Sequence, residues 1–209
     1  MSASMKKIFL FNGPPGSGKD TIANIFKDIV KDVYLYKMAY PLKEGSHKLL
    51  GLVGSLEELE PIKENPINFG LLDDFVENNH HLIKPLKLID DSIDLRQFYI
   101  HLSENVMKPL FGNDIFGKLA VQYITQSKNK FVAISDCGFE SEVKPLIEHY
   151  GKDNFVLVRL HREGKSFAND SRNYIDISGV QTYDVQNNGT MEELIDIISL
   201  IADKQNCFK

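Results

Sequence analysis

Cysteine is scarce in this chain: Cys137 and Cys207 are the only two in 209 residues. They stand far apart and form no Cys-x-x-Cys or Cys/His pattern, which argues against a disulfide framework and a zinc site and points to a reducing cytoplasm. No apolar run approaches the ~20 residues of a membrane-spanning helix. The short run Ile8-Phe9-Leu10-Phe11 is too brief for a signal-peptide core and leads straight into a glycine loop. Net positive charge is missing as well. At a formal −5, the chain lacks the Lys and Arg excess that displaces counterions from a nucleic-acid backbone, so neither nucleic acid nor membrane is an expected partner. Arginine is rarer still. Of four, Arg159, Arg162 and Arg172 share one short stretch, and Arg96 stands alone. Repeats and low-complexity tracts are absent.

What is present is the composition of an ordinary globular protein, 43% hydrophobic and 25% charged, which excludes disorder and collagen-like repeats. A chain of this length buries roughly 70% of its unfolded surface, enough for one core with an appended region. Short apolar runs alternate with amphipathic stretches, the pattern of an α/β fold with a parallel sheet between helices. The runs predict five strands, at 7–12, 33–37, 131–135, 155–160 and, more weakly, 182–185. Ile22, Ile25, Phe26, Ile29 and Val30 recur at three and four and predict a core helix after the first strand. Leu194, Ile195, Ile198 and Ile201 predict another, opened by a Thr190/Glu193 capping box.

Residues 38–130 are far longer than a crossover between two strands. They read as an insertion within a single 1–209 domain and as the place for an acceptor pocket. Residues 51–94, with Pro61, Pro66, Pro85 and acidic clusters, read as a flap of loops and short helices. His80 and His81 lack convergent ligands and read as exposed loop residues. The stretches 95–110 and 114–125 regain helical spacing. Within them Phe98, Tyr99, Phe111 and Phe116 fit either core packing or contact with a base.

Gly13-Pro14-Pro15-Gly16-Ser17-Gly18-Lys19 has Gly-x-x-x-x-Gly-Lys spacing between a buried strand and an amphipathic helix, the context of a phosphate-binding P-loop. Gly13, Gly16 and Gly18 let the backbone turn its N–H groups inward, Ser17 belongs to the same phosphate-binding loop, and the helix N-terminus adds partial positive charge. Lys19 would reach the β- and γ-phosphates. Asp20 stands where Ser or Thr is usual, with Thr21 after it. The pair fits Mg²⁺ on the phosphate side, and Asp20 alone also fits a favourable first-turn acid. Asp136 follows the apolar run 131–135, at the sheet edge where α/β folds hold ligands. It fits a metal-side acid or a helix N-cap.

The polar segment 161–173 reads as a lid. Arg162 and Arg172 would close over a transferred phosphoryl group and exclude water, whereas Arg159 lies inside a strand pattern and reads as structural. A solvated surface loop is the other reading of the same charges.

Together, Gly18-Lys19-Asp20-Thr21, Asp136-x-x-Phe139 with Glu142, the arginine segment and Asn187-Asn188-Gly189-Thr190 resemble, in that order, the bacteriophage deoxynucleoside monophosphate kinases of the P-loop nucleoside monophosphate kinase superfamily. The resemblance spans most of the chain, with the flap unmatched. It implies a three-layer P-loop NTPase fold and transfer of the ATP γ-phosphoryl group, with Mg²⁺, to a deoxynucleoside monophosphate. Lys19, Arg162 and Arg172 would be catalytic, and Asp20, Thr21 and Asp136 would lie on the metal side. Arg96 resembles an arginine gripping the acceptor 5′-phosphate, with Asp136 also on the substrate side. Family members tend to carry an arginine between the strand-end acid and the phenylalanine. Here the run is Asp136-Cys137-Gly138-Phe139, leaving that contact to Lys108, Lys144 or a lid arginine. The implied location is the cytoplasm, the host's if phage- or virus-encoded. Another small acceptor, a nucleotide-binding regulatory module, the base accepted and the oligomeric state, a homodimer included, stay open.

Overall fold

The computed structural model describes residues 6–64, 66, 67, 93–168 and 170–208. Two compact units divide it, one formed by residues 1–40 and 111–209 and the other by residues 41–110.

The first unit is built on five parallel strands: β1 (Lys7–Asn12), β2 (Val33–Tyr36), β5 (Phe131–Ile134), β6 (Phe155–His161) and β7 (Gln181–Gln186). Their spatial order is β2-β5-β1-β6-β7. β1 is central, and Ile8, Phe9, Leu10 and Phe11 have no exposed surface. Burial on both faces is why this strand reads as an unbroken apolar run rather than an alternating one. Successive side chains still part to opposite faces. Phe9 and Phe11 join Ile22 and Phe26 of α1 (Lys19–Ile29) and Ile198 of α8 (Met191–Lys204). Ile8 and Leu10 join Ala120 and Ile124 of α6 (Ile115–Gln126) and Val143 and Leu146 of α7 (Glu140–Tyr150). The result is helix, sheet, helix. Each fully buried Phe or Leu adds roughly 1.5–3 kcal/mol over its exposed state.

The five predicted strands are all present. In α8 the buried stripe is Leu194, Ile198, Ile201 and Ala202, and Ile195 faces outward with 37% of its surface exposed. One residue along a helix is a turn of about 100°, so Ala202 rather than Ile195 completes the face.

The second unit holds most of α2 (Tyr40–Leu49), then α3 (Leu56–Leu59), the two-residue ladder of β3 (Pro66–Ile67) with β4 (Ile93–Asp94), and α4 (Leu95–Leu102). An Asp94/Gln97 capping box opens α4. The helical spacing read over 95–110 is present as α4, a π-helical turn at Ser103–Met107 and then α5 (Lys108–Phe111). Tyr99 is buried, with its hydroxyl 2.5 Å from His47 Nε2. Phe116 is buried in the first unit, whereas Phe111 is 55% exposed. Pro85, His80, His81 and most of the 51–94 flap lie outside the described residues.

Candidate functional site

Parallel strands deliver all their C-terminal ends to one edge, and each of the five here hands over a polar residue within two positions of its end. β1 leads into the glycine loop, β2 into Lys37, β5 into Ser135 and Asp136, β6 into Arg162, and β7 into Asn187.

β1 closes on Asn12, a wholly buried amide. Its Nδ2 donates to the carbonyls of Cys137 (3.0 Å) and Asn173 (3.1 Å), and its Oδ1 accepts from Ile175 N (3.1 Å). The end of β1 is thereby stitched to the segment after β5 and to the one after the arginine stretch. Gly13 follows because a Cβ there would press on Ser17 Oγ and the Leu160 carbonyl, at 2.7 and 2.8 Å. Gly16 and Gly18 have φ of 73° and 96°, left-handed values that glycine alone adopts without strain. Gly18 caps α1 without a side-chain hydrogen bond, so the amides of the first turn have no side-chain acceptor there. The buried Ser17 hydroxyl likewise finds no hydrogen-bond partner among the described residues.

Lys19 folds back to donate to the Pro14 carbonyl at 2.7 Å. Burial lowers the pKa of its ammonium, the charge of Arg172 lowers it further, and Asp20 opposes both. Asp20 accepts from Ser135 Oγ at 2.7 Å and pairs with Lys37 Nζ at 2.9 Å. Partial burial pushes its carboxyl up, but the hydrogen bonds from Lys37 and Ser135 and the nearby ammonium charges outweigh this and hold it below the usual carboxylate range. Thr21 lines a neighbouring cavity.

Asp136 is not an N-cap. α7 is preceded by Phe139 and has no side-chain cap. Instead the Asp136 carboxylate accepts the backbone N–H of Met38 (2.7 Å) and Ala39 (3.1 Å), clamping the chain beyond β2. Burial pushes its pKa up against those two hydrogen bonds. Cys137 donates its thiol to the Phe11 carbonyl, and burial raises it far above the ordinary thiol range, so it stays protonated.

The arginine stretch crosses the glycine loop. Arg162 Nη1 donates to the Gly16 carbonyl at 3.3 Å, and a Cβ built on Gly16 would lie 3.4 Å from Lys165 Nζ. Glu163 N donates to Asn188 Oδ1 (2.8 Å), Asn187 N to the His161 carbonyl (2.7 Å), and Asn187 Nδ2 to the Ser17 carbonyl (2.8 Å). A cavity of about 340 Å³ lies alongside, lined by Gly18, Thr21, Arg162, Asn187, Gly189 and Leu194 among others. Arg172 is held by both Asp170 oxygens, at 2.8 and 2.6 Å. Arg159 makes a two-pronged ion pair with Asp184 on the neighbouring strand (3.0 and 2.7 Å), the structural role its strand position suggests.

The sheet unit thus contains Gly13, Gly16, Ser17, Gly18, Lys19, Asp20, Thr21, Asp136, Arg162 and Arg172. Arg96 and Lys108 belong to the other unit, beside Glu64 (3.9 Å) and Glu104 (2.5 Å) respectively. Lys144 extends along the exposed face of α7 toward Glu148 (3.9 Å). Sequence reasoning assigned no role to Asn12, Lys37, Ser135 or Lys165. For the first three the available signal was a polar residue placed at the end of an apolar strand.

Among the described residues no three His, Cys, Asp or Glu side chains converge as a metal cage. The residues still fit Mg²⁺ of the phosphate-borne kind, which needs only one or two carboxylates besides phosphate oxygens and water. Asp20 is such a carboxylate, and it already draws a cation, the Lys37 ammonium. Among the described residues no helix is long and apolar enough to cross a membrane.

No protein-family model matches the chain, and no curated protein matches its sequence. Several solved structures share its general course. A sugar kinase from Janibacter sp. HTCC2649 and the tunicamycin resistance protein of Deinococcus radiodurans are each 11% identical, with 95% of both chains covered and a TM-score of 0.42. Thymidylate kinase from Candida albicans is 12% identical over 98% of this chain and 94% of its own, with a TM-score of 0.45.

Proposed function

We propose that this chain is an ATP-dependent phosphotransferase that moves the γ-phosphoryl group to a deoxynucleoside monophosphate, giving the diphosphate and ADP. One observation carries the reading. The Gly13–Lys19 loop has left-handed glycines, opens a helix without a side-chain cap, contains Lys19 and is crossed by Arg162 and Lys165. Uncapped amides and converging cations suit a polyphosphate.

In this reading the loop amides hold the β- and γ-phosphates, and Lys19 exchanges the Pro14 carbonyl for their oxygens. The cavity between Arg162 and the 187–190 turn takes the base. An acceptor phosphate oxygen forms the new P–O bond as the bond to the bridging oxygen of ADP breaks. That oxygen is already anionic, so alignment and charge neutralisation suffice and no strong general base is needed. Asp20 with Thr21, and Asp136 behind them, would hold Mg²⁺, which when bound neutralises charge on the phosphate oxygens. Arg162 stabilises the charge spread over the transferred group. The choice of a deoxynucleotide rests on the family resemblance.

Coupled ADP release across deoxynucleoside and nucleoside monophosphates, sugars and other small hydroxyl acceptors tests this. Stimulation by one or more deoxynucleoside monophosphates is expected. Stimulation by a non-nucleotide alone would transfer the phosphate site to another acceptor, and no stimulation by any acceptor would leave a binding module.

A further inference from the structure

Asn187 follows the last residue of β7 and meets two other segments of the sheet edge at once. Its backbone N–H donates to the His161 carbonyl at 2.7 Å, which fixes it beside the end of β6. Its side-chain Nδ2 donates to the Ser17 carbonyl at 2.8 Å, inside the glycine loop and 170 positions away along the chain. Asn188 adds a further tie, its Oδ1 accepting from Glu163 N at 2.8 Å. Gly18 leaves room for this approach, since a Cβ there would collide with Asn187 Nδ2. Residue 18 is therefore glycine for two reasons, its φ of 96° and the close passage of Asn187.

The Ser17 carbonyl and the Gly18 N–H belong to one planar trans peptide group and so point in opposite directions. Holding the carbonyl against Asn187 turns the Gly18 N–H the other way. Among the described residues that N–H has no hydrogen-bond acceptor. It belongs to the residue immediately before Lys19, in the loop whose remaining amides and lysine suit a polyphosphate. Asn187 also borders the 340 Å³ cavity on the other side.

Resting on the reading of this loop as a polyphosphate site, we propose that Asn187 is a positioning residue: by holding the Ser17 carbonyl it keeps the Gly18 N–H turned toward the bound phosphate. It acts through the peptide group and touches neither phosphate nor base.

Wild type, Asn187→Leu and Asn187→Ala test this. Leucine keeps the branched shape of asparagine without the donor, and alanine removes both. The backbone bond to His161 is available in each, and melting curves establish folding. Calorimetry with ATP and with inorganic tripolyphosphate, each with Mg²⁺, reads the effect. Both ligands should bind roughly 10-fold more weakly to either variant, the lower end for one hydrogen bond to a charged group. Weakening of ATP alone would make Asn187 a contact for the base and overturn the proposal, as would no weakening of either ligand. Amide NMR supplies a signature that lost packing would not: the Gly18 N–H resonance of wild type should move on adding tripolyphosphate and should move far less in both variants. A Gly18 resonance unresponsive in wild type, or equally responsive in Asn187→Leu, overturns the proposal. Should one variant fail to fold, the other carries the test; failure of both would show a purely structural role and overturn it. Tripolyphosphate binding to wild type without turnover of any acceptor would sink the phosphotransferase reading and leave the Asn187 comparison standing, whereas no polyphosphate binding at all would overturn both.

Discussion

The Ser135 hydroxyl donates to Asp20 Oδ1 across 2.7 Å, joining the end of β5 to the first turn of α1. Lys37, just beyond β2, reaches the same oxygen at 2.9 Å. One carboxylate therefore gathers three elements at the sheet edge, and its ionisation affects both stability and chemistry.

Asp20 is more acidic in the folded protein than in the unfolded chain, through the partners that offset its burial. A depressed carboxyl contributes stability above its unfolded value, near 3.9, and loses it as pH falls through the lower folded value. Urea unfolding of wild type and Asp20→Asn should differ at pH 7, and the gap should close in acid below about pH 4. A gap independent of pH would mean that the ionised form is not what Ser135 and Lys37 stabilise.

Lys19 runs the other way. Its pKa is lowered by burial and by Arg172, so the charged form costs stability below its folded pKa, and the cost is relieved as pH rises through that value toward the ordinary ~10.4. Lys19→Met should reduce phosphoryl transfer by at least 100-fold, the scale of losing a preorganised electrostatic donor. At pH 7 its urea midpoint should equal or exceed that of wild type. Near-normal kcat would remove Lys19 from the mechanism.

Two helical glycines should respond oppositely to alanine. A Cβ on Gly117 of α6 would fall on the Glu142 carbonyl of α7 and lie 3.1 Å from Pro145 Cδ, whereas one on Gly45 of α2 meets nothing within 4 Å. Gly117→Ala should cost ~1–3 kcal/mol or more through overpacking. Gly45→Ala should add ~0.4–1 kcal/mol by restricting the unfolded chain. Thermal melts of the two variants would separate these effects.

The Thr190 side chain accepts from Glu193 N, and Glu193 Oε2 accepts in turn from Thr190 N. Thr190→Ala should destabilise by ~1 kcal/mol. Because Thr190 also lines the 340 Å³ cavity, fluorescence titration should show weaker ATP-analogue binding as well. Unchanged affinity would place the base elsewhere.

The strands were readable because burial on both faces of a parallel sheet demands continuous apolar runs, and 7–12, 131–134 and 155–160 supply them. The capping box at Thr190 and the glycine loop were readable for a similar reason, since the residues that define each lie within seven positions of one another. The helical character of 95–110 was readable but its π-turn was not, because periodicity does not distinguish a π-turn from a regular one. Asp136 was recognised as polar and strand-terminal, but its partners, the Met38 and Ala39 amides, lie almost a hundred residues away.

Local rules set the five strands, the α/β class and the phosphate loop, because strand, turn and helix preferences act over a few residues and are written in their order. The reach of Asn187 to the Ser17 carbonyl, the sharing of Asp20 between Ser135 and Lys37, and the three-way tie of Asn12 had to await the folded chain. Those contacts exist because parallel strands bring distant segments to a common edge, and no short-range pattern encodes which pairs will meet there.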